Sequence, residues 1–263
     1  MNKQTKCTHA YLHVHMSCRY QGESNCLKGD VSIYKDKTLA LASGWRAEFQ
    51  QPDLPLLTVQ LAPFSYVTTW PDNELSPQNL PAFMEAQLEC CGKTGHVPNC
   101  EIVIISDLAG DDFKTDIHPI NKRDVGHRLA RLALASEYRC LRSAAGGVEK
   151  QGGGGVLGPR LASCTCEHGV AKLTFAHAGD GLCINANVPL GERSDRVTQF
   201  QVAGQDRVFA PAQARIMGTD SLEVSNMLAV PDPLYVRYAW HETALGNLAN
   251  RDGLPASAFR TDR

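Results

Sequence analysis

The chain has 263 residues, 43% of them apolar and 21% charged, which is the composition of an ordinary globular protein with room for a sizeable core. Its net charge of −2 gives no basic field to attract nucleic acid or an anionic membrane, so neither is expected as a partner. No apolar run approaches the ~20 residues of a spanning helix, and the start has no apolar stretch of the kind a signal peptide carries; as written, the chain is expected in the cytoplasm.

Residues 1–19 read as an atypical leader. Cys7, His9, His13, His15 and Cys18 cluster there. On a strand, His13 and His15 would share one face, as metal ligands could. No second half of a site follows at regular spacing, so no metal is assigned. The polar turn Tyr20-Gln21-Gly22-Glu23-Ser24-Asn25 comes next. It reads either as a surface turn or as a site loop whose amides and backbone N–H groups meet a substrate. Tyr34, Leu41 and Trp45 repeat at helical spacing and predict a helix over residues 34–45. Residues 54–61 have few charges and predict a strand buried on both faces.

Pro63, Pro71, Pro77 and Pro81 predict a long loop over residues 64–80, followed by a helix over 82–91. The apolar run at 102–105 predicts the next strand. It leads through an acidic turn to Asp116-Ile117-His118-Pro119. A strand, a polar loop and a helix in that order is where α/β proteins put catalytic groups. An Asp two residues before a His can orient the imidazole and stabilise its protonated form. The helix over 121–138 has Asn121 as its expected N-cap and an apolar stripe of Val125, Leu129, Leu132 and Ala133. Lys122, Arg123, Arg128 and Arg131 are read as lying mostly off that stripe.

The four-glycine run at 152–155 reads as a linker or long loop. Beyond it the period changes to alternation, at 170–175, 200–202, 222–224 and 234–240. This predicts an antiparallel β-rich part over 156–263, sandwich-like, with residues 247–263 as an ordered strap. The ten cysteines include the vicinal Cys90-Cys91 and the close Cys164 and Cys166. Neither pair has the C-x₂-C spacing of a structural zinc site, and buried or incidental thiols are expected.

Several of these blocks together resemble the sialate O-acetylesterase family, an SGNH-type branch of the carbohydrate esterases. The blocks are Tyr20 to Asn25 (YQGESN), Gly44-Trp45-Arg46, Val59-Gln60-Leu61-Ala62-Pro63-Phe64, Asp116-Ile117-His118-Pro119 with Asn121-Lys122, and Phe259-Arg260-Thr261-Asp262. The resemblance runs from about residue 20 to 262. It implies a three-layer α/β domain over residues 20–150, incomplete at its N-terminus because the first strand and its nucleophile turn are not recognisable. It also implies removal of O-acetyl groups from sialic acid or other acetylated sugars, with no cofactor. His118 would be the base for a nucleophilic Ser, and Asp116 the residue that steadies it. Gly22 N–H and the Asn25 amide would help hold the oxyanion, with Gln21 in the same loop and Glu23 bracing it. No serine before Tyr20 matches the family's nucleophile. Ser24 sits in half of a G-x-S-x-G elbow whose second Gly is absent. The alternative is a catalytically inactive remnant acting as a carbohydrate-binding or interaction protein.

Overall fold

Three short strands set the first half: β1 (Ser17–Tyr20), β2 (Leu56–Val59) and β3 (Cys100–Val103). They pair in parallel in the order β1-β2-β3. Between them run α1 (Glu23–Leu27), α2 (Tyr34–Glu48), α3 (Tyr66–Thr69) and α4 (Asn79–Glu89), and α5 (Lys122–Ser136) follows β3. The computed structural model describes residues 16–136, 155–186, 188 and 194–263. The His13 and His15 pair, Cys7, Cys140 and most of the four-glycine run lie outside the described residues.

The strand at Ser17–Tyr20 is a finding the sequence reading did not anticipate. It begins inside the stretch read as a leader and pairs Ser17 with Leu56 through Tyr20 with Val59. Ser17 is also tied in by its side chain, whose hydroxyl donates to Pro55 O at 2.8 Å. Residues 64–80, expected to be loop, hold α3 and a 3₁₀ turn at Pro71–Asn73.

The period-2 side-chain alternation of the parallel strands feeds two cores. Leu56 and Ile102 face the larger one, with Tyr34 and Ala42 of α2 and Phe83 and Met84 of α4. Leu57, Val59 and Val103 face the other, with Val125, Leu132 and Ala133 of α5. The sheet is therefore sandwiched between helices. In α2, Tyr34, Thr38 and Ala42 are buried and Trp45 packs against the same core, so the face is the expected one, with Leu41 at its edge. In α5, Arg128 is buried, against the expectation that it lies off the stripe. It is three residues after Val125 and four before Leu132, so its position is on the core face and its charge must be met there.

Asn121 caps α5. Asp124 N–H donates to Asn121 Oδ1 at 3.1 Å, and Asn121 Nδ2 donates back to Asp124 Oδ2 at 2.8 Å. This reciprocal pair satisfies one of the free N–H groups of the first turn. Asn121→Ala is expected to cost about 1 kcal/mol, readable as a lower urea midpoint at unchanged slope.

The second half has β4 (Arg160–Glu167), β5 (Val170–Ala176), β6 (Leu182–Ile184), β7 (Val197–Ala203), β8 (Ala210–Ile216), β9 (Ser221–Ser225), β10 (Tyr235–Tyr238), β11 (Leu248–Asn250) and β12 (Phe259–Arg260). Seven of them form one antiparallel sheet in the order β12-β10-β7-β8-β9-β5-β4, and β6 pairs with β11 separately. The buried side chains of that sheet, among them Leu173, Phe200, Val224 and Tyr238, belong to the same core as α2 and α4. The expected sandwich is thus one large sheet that shares its core with the helices of the first half.

Candidate active site

In a parallel sheet the carboxyl ends of all strands lie at one end. Here β1 delivers Gln21 to Asn25, β2 delivers the segment leading to Phe64, Tyr66 and Trp70, and β3 delivers the segment leading to Asp116 and His118. A direct contact ties the first and third. Lys122 Nζ, one turn past His118, lies 4.6 Å from the centre of the Tyr20 ring, next to Gln21.

The Gln21–Asn25 loop is held from within and from below. Gly22 precedes α1, and Cys26 N–H donates to Gly22 O at 2.8 Å. Gln21 Nε2 donates to Asn25 Oδ1 at 2.9 Å, Arg19 donates to Gln21 Oε1, and Asn25 Nδ2 donates to Asp30 Oδ2 at 2.8 Å. From α4, Gln87 Oε1 accepts Leu61 N–H at 3.0 Å, while its Nε2 reaches Gln21 O at 3.5 Å. A Cβ on Gly22 would stand 2.8 Å from Phe83 Cε1 and 3.2 Å from Gln87 Nε2. Gly22→Ala is therefore expected to destabilise by roughly 1–3 kcal/mol, as forced overpacking does, and to displace the loop. A parent-like thermal midpoint would show that α4 can yield.

Both candidate oxyanion donors are engaged. Gly22 N–H donates to Glu23 Oε2 at 2.9 Å, and one Asn25 amide N–H goes to Asp30. The Glu23 carboxylate therefore occupies the N–H that an oxyanion would need. Ser24 is exposed on α1, and among the described residues no serine hydroxyl is hydrogen-bonded to the His118 ring.

His118 projects from its loop between two inward neighbours. Pro119 is buried and Ile117 packs against the larger core, while the His118 side chain is 74% exposed. Asp116 Oδ1 accepts His118 N–H at 2.8 Å and lies 3.6 Å from Nδ1. The second distance is too long for a hydrogen bond. Asp116 therefore fixes the backbone at His118 and faces the Nδ1 edge electrostatically, leaving Nε2 toward solvent.

The sequence reading missed the group under the loop. Tyr66, Cys26 and Glu242 pack there, and burial pushes all three pKa values up, that of Cys26 to about 12. Glu242 accepts Val67 N–H through both oxygens, at 3.2 and 3.0 Å, so the second half of the chain caps α3. Nothing local in the sequence links residues 67 and 242. Two cavities of about 850 and 830 Å³ lie elsewhere; neither is lined by His118, Asp116 or the loop. Among the described residues no group of three His, Cys, Asp or Glu side chains could hold a metal, and no helix is long and apolar enough to cross a membrane.

The model of a family described as carbohydrate esterase, sialic acid-specific acetylesterase, matches residues 3–135. The match begins well before Tyr20 and takes in the stretch read as a leader. A solved structure, that of a carbohydrate acetylesterase from Xanthomonas citri, is similar over 95% of this chain and 50% of its own, with 34% identity and a TM-score of 0.75. The chain spans about half the length of that relative. No curated protein matches.

Proposed function

The chain belongs to the sialic acid-specific acetylesterase family of carbohydrate esterases, and from that premise we propose that it hydrolyses O-acetyl esters of sialic acid or related acetylated sugars. The observation that carries the reading is the meeting of two segments at one end of the parallel sheet, the Gln21–Asn25 loop and the Asp116/His118 loop, tied by Lys122 on Tyr20. The activity named for the Xanthomonas citri relative agrees with it.

In this reading His118 Nε2 takes the proton of an attacking serine hydroxyl and gives it to the sugar oxygen as the sugar leaves and the acetyl group stays on the serine. The same nitrogen then takes a proton from water, which attacks the acetyl carbonyl, and returns it to the serine as acetate is released. Asp116 holds the backbone that carries the ring, through the His118 N–H. The N–H groups of the Gln21–Asn25 loop receive the oxyanion once Glu23 swings off Gly22. The test is acetate release from O-acetylated sialic acid and from p-nitrophenyl acetate by the purified chain.

The engaged donors favour a second reading, a chain that binds acetylated sugar without turning it over. Gly22 N–H already has a carboxylate partner, so an ester oxygen must displace one. Binding by calorimetry without acetate release would select this reading. Release without saturation by the sugar would reject it.

A further inference from the structure

We propose that Cys91 and Cys100 are a redox pair that closes into a disulfide, fastening the end of α4 to the start of β3. Their sulfurs are 2.9 Å apart, about 0.9 Å longer than a disulfide bond. The proximity belongs to the backbone. Gly92 N–H donates to Cys100 O at 2.8 Å, directly beside both residues. The hairpin between them is tightened by Gly95 N–H to Gly92 O at 3.0 Å, His96 N–H to Glu89 O at 2.9 Å and Val97 N–H to Cys90 O at 3.0 Å. The turn packs so closely that a Cβ on Gly95 would be 2.5 Å from the Cys91 carbonyl carbon.

The neighbouring thiol does not compete. Cys90 is buried with Thr38, Lys35 and Arg19 around it, whereas Cys91 faces Cys100 and Thr58, whose Oγ1 is 3.5 Å from its sulfur. Cys91 also lines the cavity of about 850 Å³, together with His96, Arg160 and Cys164, which gives an oxidant a route to it. The hydrogen bond to the Cys100 sulfur, and then burial, hold the Cys91 thiol well above its ordinary pKa, so attack is slow at neutral pH.

The step balances with a small disulfide such as oxidised glutathione. Cys91 loses its proton to solvent and attacks one sulfur, releasing one glutathione thiolate. Cys100 then loses its proton and attacks the Cys91 sulfur of the mixed disulfide, releasing the second. Two protein thiols are oxidised and one glutathione disulfide is reduced to two thiols.

The experiment incubates the reduced, folded chain with oxidised glutathione, blocks remaining thiols with iodoacetamide after unfolding, and maps peptides without reduction. Expected is a linked peptide pair joining Cys91 to Cys100, lighter by about two hydrogens, together with a thermal midpoint raised by roughly 5 °C that dithiothreitol reverses. Cys90→Ala should keep the link and Cys100→Ala should lose both link and shift. Alkylation of both Cys91 and Cys100 in the oxidised wild type, or a Cys90–Cys91 link, overturns the proposal; the mapping needs no variant to fold.

Discussion

His118→Ala is expected to lower acetyl-ester hydrolysis by about 10²–10⁴-fold, the usual contribution of a general base, while leaving stability within roughly 0.5 kcal/mol of the parent. The two halves of that expectation come from one observation. The ring is 74% exposed and, among the described residues, has Asp116 beside it, so truncating it removes little packing. Asp116→Asn is expected to cost far less, on the order of tenfold, because the carboxylate is 46% exposed to screening water and 3.6 Å from Nδ1. Its amide oxygen can still accept His118 N–H. Ser24→Ala should leave the rate unchanged, since that hydroxyl lies exposed on α1 away from any bond to the ring. Steady-state kinetics on p-nitrophenyl acetate, beside urea unfolding of each variant, checks all three. A rate for His118→Ala equal to the parent's would remove the imidazole from the chemistry.

The parallel-sheet half was legible because its signals are local. Short apolar runs with few charges gave β2 and β3, and the Asn121 cap with its apolar stripe gave α5. What joins distant segments was not legible. Strand β1 carries Ser17, Cys18 and Arg19, with little apolar alternation, and exists because β2 offers it an edge. Strand β4 is equally poor in large apolar residues, and β8 carries Pro211, which reads as an interruption. The sheet order β12-β10-β7-β8-β9-β5-β4 depends on pairings across long loops, for which no residue pattern is diagnostic.

The site divides in the same way. The two loops could be named from the chain, because each is a short motif. Their supports could not. Phe83 and Gln87 reach Gly22 from α4, and Glu242 reaches α3 from the far end of the sequence. Reading the loop alone left Gly22 N–H free to receive an oxyanion; the fold gives that N–H to Glu23. A carboxylate one residue away is a rival for an N–H donor, so an oxyanion must displace Glu23 to reach it.

Arg128→Ala is expected to be the most destabilising single change outside the apolar core, by about 3–5 kcal/mol. Arg128 and Asp107 form a two-pronged pair, Nη1 to Oδ1 and Nη2 to Oδ2, both at 2.7 Å, with side-chain exposures of 9% and 0%. Arg128 Nη1 also donates to Ile104 O at 2.7 Å, and Asn185 Nδ2 to Asp107 Oδ2 at 3.2 Å. One ion pair thus ties β3's carboxyl end, α5 and the second half of the chain. The pair's net contribution is small, because desolvating two charges offsets most of their attraction. Removing one partner is different, since it leaves the Asp107 carboxylate buried without its counter-charge, held by the Asn185 amide. A loss of that size is a large share of the ~5–15 kcal/mol that holds a typical domain folded. Arg128→Met with Asp107→Leu should recover much of the loss by removing both charges at similar volume. Urea unfolding of the two single variants and the double variant measures the coupling directly. Additive losses would mean that each charge finds water or another partner, and that the two residues do not act as a unit in joining the halves of the molecule.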